Sequence, residues 1–409
     1  MQIIEIGGAD VLIIAIVVWF IGTFLTNKIQ LLKHYNIPAA VTGGLICSGL
    51  VTLVYIVFER QINFDMQIRN LLLLLFFSTI GLTAKLRLLV EGGKALAILL
   101  VIATVFLVFQ DITGVLLVKL MGSHPGYGLF GGSISFAGGH GTAIAWGAEA
   151  EKAGLLRASE IGLAFATFGL IAGGIIGGPI GEWLIQKNNL CKPQNTEATG
   201  DKESAKTFIE IPSINSVLGT ILLLAICVEV GDLVNRFLFS QDVLLPGFLS
   251  AMIVGIVITN TADLFRVKLS NVVIDRGGEI SLHLFLSMSL MSMQLWTLVN
   301  AIGPILIVLL AQTLLMTFFA IWVVFRLMGR DYDASVIAAG FAGLGLGATP
   351  VGIANMSSIT SKYGHSVKAF LVIPLIGAFF IDLSNALVIK FFIGLPIMSL
   401  PIISQALPP

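Results

Sequence analysis

Phe136-Ala137-Gly138-Gly139-His140-Gly141-Thr142-Ala143 interrupts one long apolar sequence, and Phe341-Ala342-Gly343-Leu344-Gly345-Leu346-Gly347-Ala348-Thr349-Pro350 interrupts another in the second half of the chain. Each segment is too rich in glycine for an ordinary helix and too apolar for a free loop. Backbone broken at membrane depth exposes amide and carbonyl groups, which must be buried in protein or line a wet cavity. Breaks at corresponding places in two apolar halves point to the ligand site of a membrane carrier. The pattern predicts two re-entrant hairpins, near 126–146 and 335–357, with tips that meet near the bilayer midplane.

The composition agrees. Of 409 residues, 56% are hydrophobic and 11% are charged, whereas soluble domains carry about 25% charged residues. Mean hydropathy is +0.98. These values imply a polytopic membrane protein and exclude a soluble enzyme. The formal net charge of zero offers nothing to nucleic acid. Cys47, Cys191 and Cys227 form no CxxC or other metal-binding spacing. The intramembrane acids are isolated, with no Asp-rich or histidine-cluster motif, so a membrane-embedded enzyme is not expected. Glu5 and Asp10 precede or open the first apolar run, and no Lys or Arg occurs before Lys28. A signal peptide has the opposite charge order, so this run reads as a retained span.

A membrane-spanning helix needs about 20 mostly apolar residues. Such stretches fall at 10–27, 38–58, 69–84, 95–121 and 160–186, and again at 214–239, 245–262, 279–298, 301–327 and 366–394. The expected fold is all-α, with ten transmembrane helices. When both termini are put on one side, most of the 23 basic residues fall in loops on the other, among them Lys28, Lys85, Arg87, Arg266, Arg326 and Arg330. The positive-inside rule makes those loops cytoplasmic and the termini external. Residues 187–212 are the one long polar stretch and read as a flexible cytoplasmic linker between units 1–186 and 213–409. The units match in order: Ile37-Pro38 with Leu245-Pro246, Phe76-Phe77-Ser78 with Phe285-Leu286-Ser287, and Gln110 with Gln312. Five spans per unit is an odd number, so the two repeats are inverted relative to each other.

Hairpins of this kind place helix ends inside the bilayer. Helix N-termini attract carboxylates, and carbonyl-rich ends attract cations. An anion carried together with a metal cation would use both. At this point a family resemblance enters. Gly138-Gly139-His140-Gly141-Thr142, the loop from Gly343 to Pro350 with Ile353-Ala354-Asn355, and Ala378-Phe379-Phe380-Ile381-Asp382 with Asn385 to Lys390 closely resemble the bacterial glutamate:sodium symporters. Ile37-Pro38, Asn63-Phe64-Asp65-Met66, Thr79-Ile80-Gly81-Leu82 and Ala166-Thr167-Phe168-Gly169-Leu170 extend the resemblance over nearly the whole chain. It implies Na⁺-coupled uptake of L-glutamate, or a closely related acidic amino acid, across the bacterial inner membrane. It further implies Na⁺ as coupling ion with no organic cofactor, a homodimer, and an elevator-like motion. The chain departs from the family pattern at Ala39-Ala40 and at Phe341.

The candidate substrate-binding residues are Gly138, Gly139, His140, Gly141, Thr142, Gly345, Gly347, Thr349 and Asn355. Glycines also permit close helix packing, but two matched clusters with polar neighbours favour a ligand-lining role. His140 reads as a strut or substrate contact ahead of a proton relay. Thr142, Thr349 and Asn355 offer the hard oxygens that Na⁺ requires, and they equally suit helix capping. Asp382 lies within an apolar span, where an uncompensated carboxylate costs about 2.5–3.5 kcal/mol and is functional by default. Asn385 shares its helical face, so Asp382, Asn385, Thr349 and Asn355 form the candidate cation set. Asp111 is a weaker candidate. Gln110 and Gln312 read as helix bridges, and Lys390 as a side chain that snorkels to the interface. The competing reading is a cation:proton exchanger that uses Asp382 and His140.

Overall fold

The computed structural model describes residues 2–34, 37–87, 93–190, 212–240, 245–267, 269–293 and 301–398. Most of the linker expected at 187–212 lies outside them. In the N-terminal half the long helices are α1 (Gly8–Lys28), α2 (Ala39–Phe58), α3 (Gln67–Thr83) and α4 (Gly93–Leu120). A hairpin of α5 (Gly126–Phe130) and α6 (Gly139–Lys152) follows, and then α7 (Ala158–Lys187). The C-terminal half repeats the order with α8 (Ile214–Phe239), α9 (Gly247–Leu264), α10 (Asn271–Met291) and α11 (Ile302–Phe318). Its hairpin is α12 (Tyr332–Leu346) and α13 (Thr349–Tyr363), followed by α14 (Val367–Leu375), a π-turn at Ile376–Phe380 and α15 (Ile381–Ile393). One short parallel strand pair, Gln2–Ile6 with Arg60–Phe64, ties the start of α1 to the start of α3.

Seven of these helices are long and apolar enough to cross a membrane. The other expected spans depart for visible reasons. The third is a 17-residue helix. Asn271–Met291 carries Asp275, Arg276 and Glu279 within its length. The last expected span is divided by the π-turn.

The helices sort into two bundles. α1, α2, α3, α8, α9 and α10 pack on one another and form the first. α4 to α7 and α11 to α15 form the second. Each bundle therefore draws the same members, in order, from each half of the chain. Small residues allow close approach inside the first bundle: a Cβ at Gly22 of α1 would lie 1.9 Å from the carbonyl oxygen of Ala39 on α2. The bundles meet chiefly where α10 passes α6 and where α3 runs past the π-turn. Aromatic rings fill that boundary, with Trp146 edge-on to Phe248 at 5.6 Å.

Candidate functional site

Both glycine-rich breaks lie inside the second bundle, and they touch. The first follows α5 through a series of turns and ends where Gly139 opens α6 with a φ of +65°. The nearest atom to a Cβ at Gly139 would be the carbonyl oxygen of Gly347, at 3.5 Å. The second break is shorter: α12 ends at Leu346, Gly347 and Ala348 leave the helix, and α13 restarts at Thr349. Two helix N-termini, those of α6 and α13, thus open beside this junction. Neither has a side-chain cap. Most helix starts here share that lack; Ser213, Asp331 and Ser366 do cap α8, α12 and α14 through their side chains. What sets α6 and α13 apart is that they open where the two breaks touch. Uncapped N–H groups at a helix start keep donors and positive potential available to an anion.

Two glutamines lock the junction from opposite sides. Gln110 Nε2 on α4 donates to the carbonyl of Gly345 at 3.0 Å. Gln312 Nε2 on α11 donates to the carbonyl of Gly131 at 2.8 Å and to that of Gln110 at 2.7 Å. Each glutamine thus holds the hairpin of the other half, and both bridge helices as their paired positions suggested.

His140 Nε2 lies 3.1 Å from Thr167 Oγ1 on α7, a strut between hairpin and helix. Gly141 faces the first bundle, where a Cβ would stand 3.1 Å from Phe76 and 3.5 Å from Phe285. Those two rings are the repeat-related pair of the sequence, 5.5 Å apart. Thr142 is buried against Gly138. Thr349 does not cap α13: its hydroxyl donates to the carbonyl of Gly377 in the π-turn at 3.1 Å.

The cation candidates do not gather around one point. Thr349 and Asp382 flank the same π-turn, and Asp382 is half-buried with no hydrogen-bond partner among the described residues. Asn355 turns away to α7 and α12, donating to the carbonyls of Gly173 at 3.0 Å and Ala339 at 3.4 Å. Asn385, 1% exposed, donates to the carbonyl of Ser133 at 3.0 Å and leaves its Oδ1 without a partner. No sequence pattern distinguishes Ser133, and Asp111 is a weaker candidate by its sequence. Asp111 accepts from the Ser133 N–H at 2.7 Å and from its hydroxyl at 2.9 Å, so Asp111 and Asn385 grip the first break from two sides. An acid in the fourth apolar stretch, opposite a serine in the glycine-rich turn, was the available signal. Among the described residues no group of three or more His, Cys, Asp or Glu side chains could hold a metal ion.

A helical membrane protein in which two uncapped, glycine-broken hairpins converge within one bundle belongs to the class of membrane carriers. A family model described as sodium/glutamate symporter matches residues 4–365, and the chain belongs to that family of transporters. It is 40% identical over 400 residues to the sodium/glutamate symporter of Escherichia coli (strain K12), covering 95% of this chain and 98% of that one. The same identity and coverage relate it to the sodium/glutamate symporter of Shigella flexneri. The sodium/glutamate symporter of Haemophilus influenzae is 38% identical over 386 residues, 93% of this chain and 96% of that relative. No solved structure matches the chain.

Proposed function

We propose that this protein is a sodium-coupled symporter that takes up L-glutamate or a closely related acidic amino acid across the bacterial inner membrane. The observation that carries the reading is the junction of the two breaks, where the uncapped starts of α6 and α13 face the same place as the carbonyl of Gly347. Uncapped N–H groups suit the substrate carboxylates, and carbonyl and hydroxyl oxygens suit Na⁺. Gly138, Gly139, His140, Gly141, Thr142, Gly345, Gly347 and Thr349 line this junction in the proposal. Thr349 and Asp382, beside the π-turn, are the first ligands assigned to Na⁺, with Asn385 and Asn355 as further oxygens reached after local rearrangement.

In the same reading the chain crosses the bilayer ten times as two inverted repeats, 1–186 and 213–409, with both hairpins re-entrant. The termini lie outside, the linker at 187–212 lies in the cytoplasm, and the protein is a homodimer. The second bundle moves as an elevator against the first, which stays fixed. The division into bundles supports this, because the side-chain hydrogen bonds named above all stay within one bundle while aromatic contacts lie across the boundary. Coupling to Na⁺ is favoured over proton exchange by the family and by the pairing of His140 with Thr167, away from Asp382.

The test is uptake of labelled L-glutamate into proteoliposomes of the purified protein, with an inward Na⁺ gradient against a K⁺ control. Accumulation only with Na⁺ is expected. Equal accumulation in K⁺, or proton-driven cation flux without any amino acid, would overturn the proposal.

A further inference from the structure

The end of α7 packs against the stretch that continues α11, a π-helical segment at Phe319–Val324 followed by one turn at Phe325–Leu327. A cavity of about 180 Å³ lies between them. Trp183, Lys187 and Asn188 line it from one side, and Trp322, Arg326 and Arg330 from the other. None of the residues at the junction of the breaks contributes to it.

The lining holds three cations and no acid. Lys187 Nζ lies over the Trp183 ring at 4.2 Å, and the Arg326 guanidinium over the Trp322 ring at 4.3 Å. A ring face orients a cation but has no net charge to neutralise it. The acids that neighbour these residues in sequence serve other groups. Glu182 is bonded to Lys362 and to the Tyr363 hydroxyl. Asp331 accepts the Ala334 N–H at 2.7 Å, capping α12, and faces Lys368 at 4.0 Å. Among the described residues, Lys187, Arg326 and Arg330 therefore have no ion-pair partner.

Tryptophan and basic residues are common wherever a helix leaves a bilayer. Anchoring each helix separately does not require them to converge on one cavity from two distant segments, as they do here. An apolar track runs up to the cavity. Leu310, Leu314 and Phe318 follow one another at intervals of four on one face of α11, and each is more than half exposed. Trp322 continues the track and stacks on Phe318, with ring centroids 6.4 Å apart. A basic pocket between helix ends suits a lipid phosphate, and an exposed apolar track beside it suits acyl chains.

We propose that this cavity binds the phosphodiester of an anionic phospholipid, with an acyl chain along Leu310, Leu314 and Phe318. Lys187, Arg326 and Arg330 meet the phosphate oxygens, the arginines through their forked N–H groups. Free phosphate shares the headgroup chemistry but makes no use of the track. Binding of this kind depends on neither the substrate nor the orientation given above.

The test is native mass spectrometry of the full-length protein, freed of copurified lipid in a neutral detergent. Phosphatidylglycerol, cardiolipin and phosphatidylcholine are titrated in turn, and inorganic phosphate is added as a competitor. Saturable retention of an anionic lipid in preference to phosphatidylcholine is expected. A tighter hold on cardiolipin than on phosphatidylglycerol assigns two phosphates to the cavity, and the reverse assigns one. Each basic residue facing lipid phosphate is worth about fivefold in affinity, so Lys187→Gln/Arg326→Gln should raise the half-saturating concentration about thirtyfold. Lys85→Gln/Lys94→Gln, which removes two lysines at the connection of α3 to α4, should leave it unchanged. Equal retention of phosphatidylcholine, displacement of the lipid by inorganic phosphate at comparable concentration, no shift in the first double variant, or the same shift in the second would overturn the proposal. If the first double variant does not fold, Arg330→Gln alone is read in the same way, with about a fivefold rise expected. These readouts need no transport, so a failed uptake assay would sink the symporter reading without touching this one.

Discussion

Gly377→Ala tests whether the Thr349 hydroxyl serves the cation or only the packing. A Cβ at Gly377 would stand 2.2 Å from Thr349 Oγ1 and 2.9 Å from its Cγ2. Thr349 is short and β-branched, with χ1 confined, so it cannot swing clear at low cost. The substitution must break the 3.1 Å bond to the Gly377 carbonyl and push the start of α13 from the π-turn. Overpacking of this kind costs about 1–3 kcal/mol, and loss of the bond adds about 0.6 kcal/mol by the average for side-chain bonds within membrane bundles. The steric contribution dominates, so the double variant Gly377→Ala/Thr349→Ala should regain most of the thermal stability lost in the single. If Thr349 is a Na⁺ ligand, the double variant should still need about tenfold more Na⁺ for half-maximal glutamate uptake, about 1.4 kcal/mol of lost binding. The assays are thermal unfolding in detergent and proteoliposome uptake as a function of Na⁺. A double variant that recovers both stability and Na⁺ affinity would refute the ligand role and leave Thr349 as a packing residue.

Asp382→Asn should abolish Na⁺-dependent uptake with little change in melting temperature, because the carboxylate has no hydrogen-bond partner among the described residues to lose; a large fall in stability would count against the cation role. Ser133→Ala removes the hydroxyl bond to Asp111 but keeps the backbone one, and should cost about 0.6–1.7 kcal/mol in unfolding measurements while leaving the Na⁺ requirement within twofold. Gly141→Ala brings a methyl to 3.1 Å from Phe76 across the bundle boundary; we expect near-normal stability but slower uptake, and unchanged turnover would argue that this contact does not slide. Collapsing the membrane potential at a fixed Na⁺ gradient should lower accumulation, since each net positive charge carried is worth about 2.3 kcal/mol per 100 mV; no effect would mean electroneutral cotransport of one Na⁺ with each glutamate anion.

The helices were legible because apolar length is a strong signal, and the two breaks because glycine at these densities disrupts it. The pairing of Gln110 with Gln312 also read correctly as bridging. What each bridges did not, since a side-chain amide can reach any carbonyl that the fold brings near. The π-turn at Ile376–Phe380 is marked in the sequence only by a helix-weakening proline and glycine, which do not specify its form. Pro374 just before it and Gly377 within it weaken the helix there, and tertiary packing selects the wider turn. Asp382 and Asn385 both lie in the regular helix that follows it, and of the two Asn385 bonds the Ser133 carbonyl while Asp382 has no hydrogen-bond partner among the described residues. Asn355 was placed by the same logic as Thr349, yet glycines on α7 clear its path: a Cβ at Gly177 would lie 2.0 Å from its Nδ2. The paired glycines at Gly173-Gly174 and Gly177-Gly178 were the overlooked clue that something polar packs there. The partition into two bundles could not be read at all, because most of the long helices are apolar and apolar faces do not name their partners.

The reciprocal clamp bears most directly on mechanism. Gln110, from the first half, holds Gly345 of the second hairpin, while Gln312, from the second half, holds Gly131 of the first. Both bonds are fully buried, as are the side chains that make them. Opening the first hairpin alone would strand the Gly131 carbonyl, and opening the second would strand the Gly345 carbonyl and the Gln110 amide, in an apolar interior where an unsatisfied polar group costs about 1–3 kcal/mol. Asp111 and Asn385 add further bonds on Ser133. The junction is therefore stiff, and a substrate bound there would travel with both hairpins together. The boundary with the first bundle is different in kind. Trp146 against Phe248, and Gly141 against Phe76 and Phe285, are apolar contacts. Such contacts have no fixed direction and can be exchanged for equivalent ones without leaving a donor unpaired. Displacement between the bundles thus costs less than deformation within the second one, and this difference supports the proposed elevator motion over a hairpin gate.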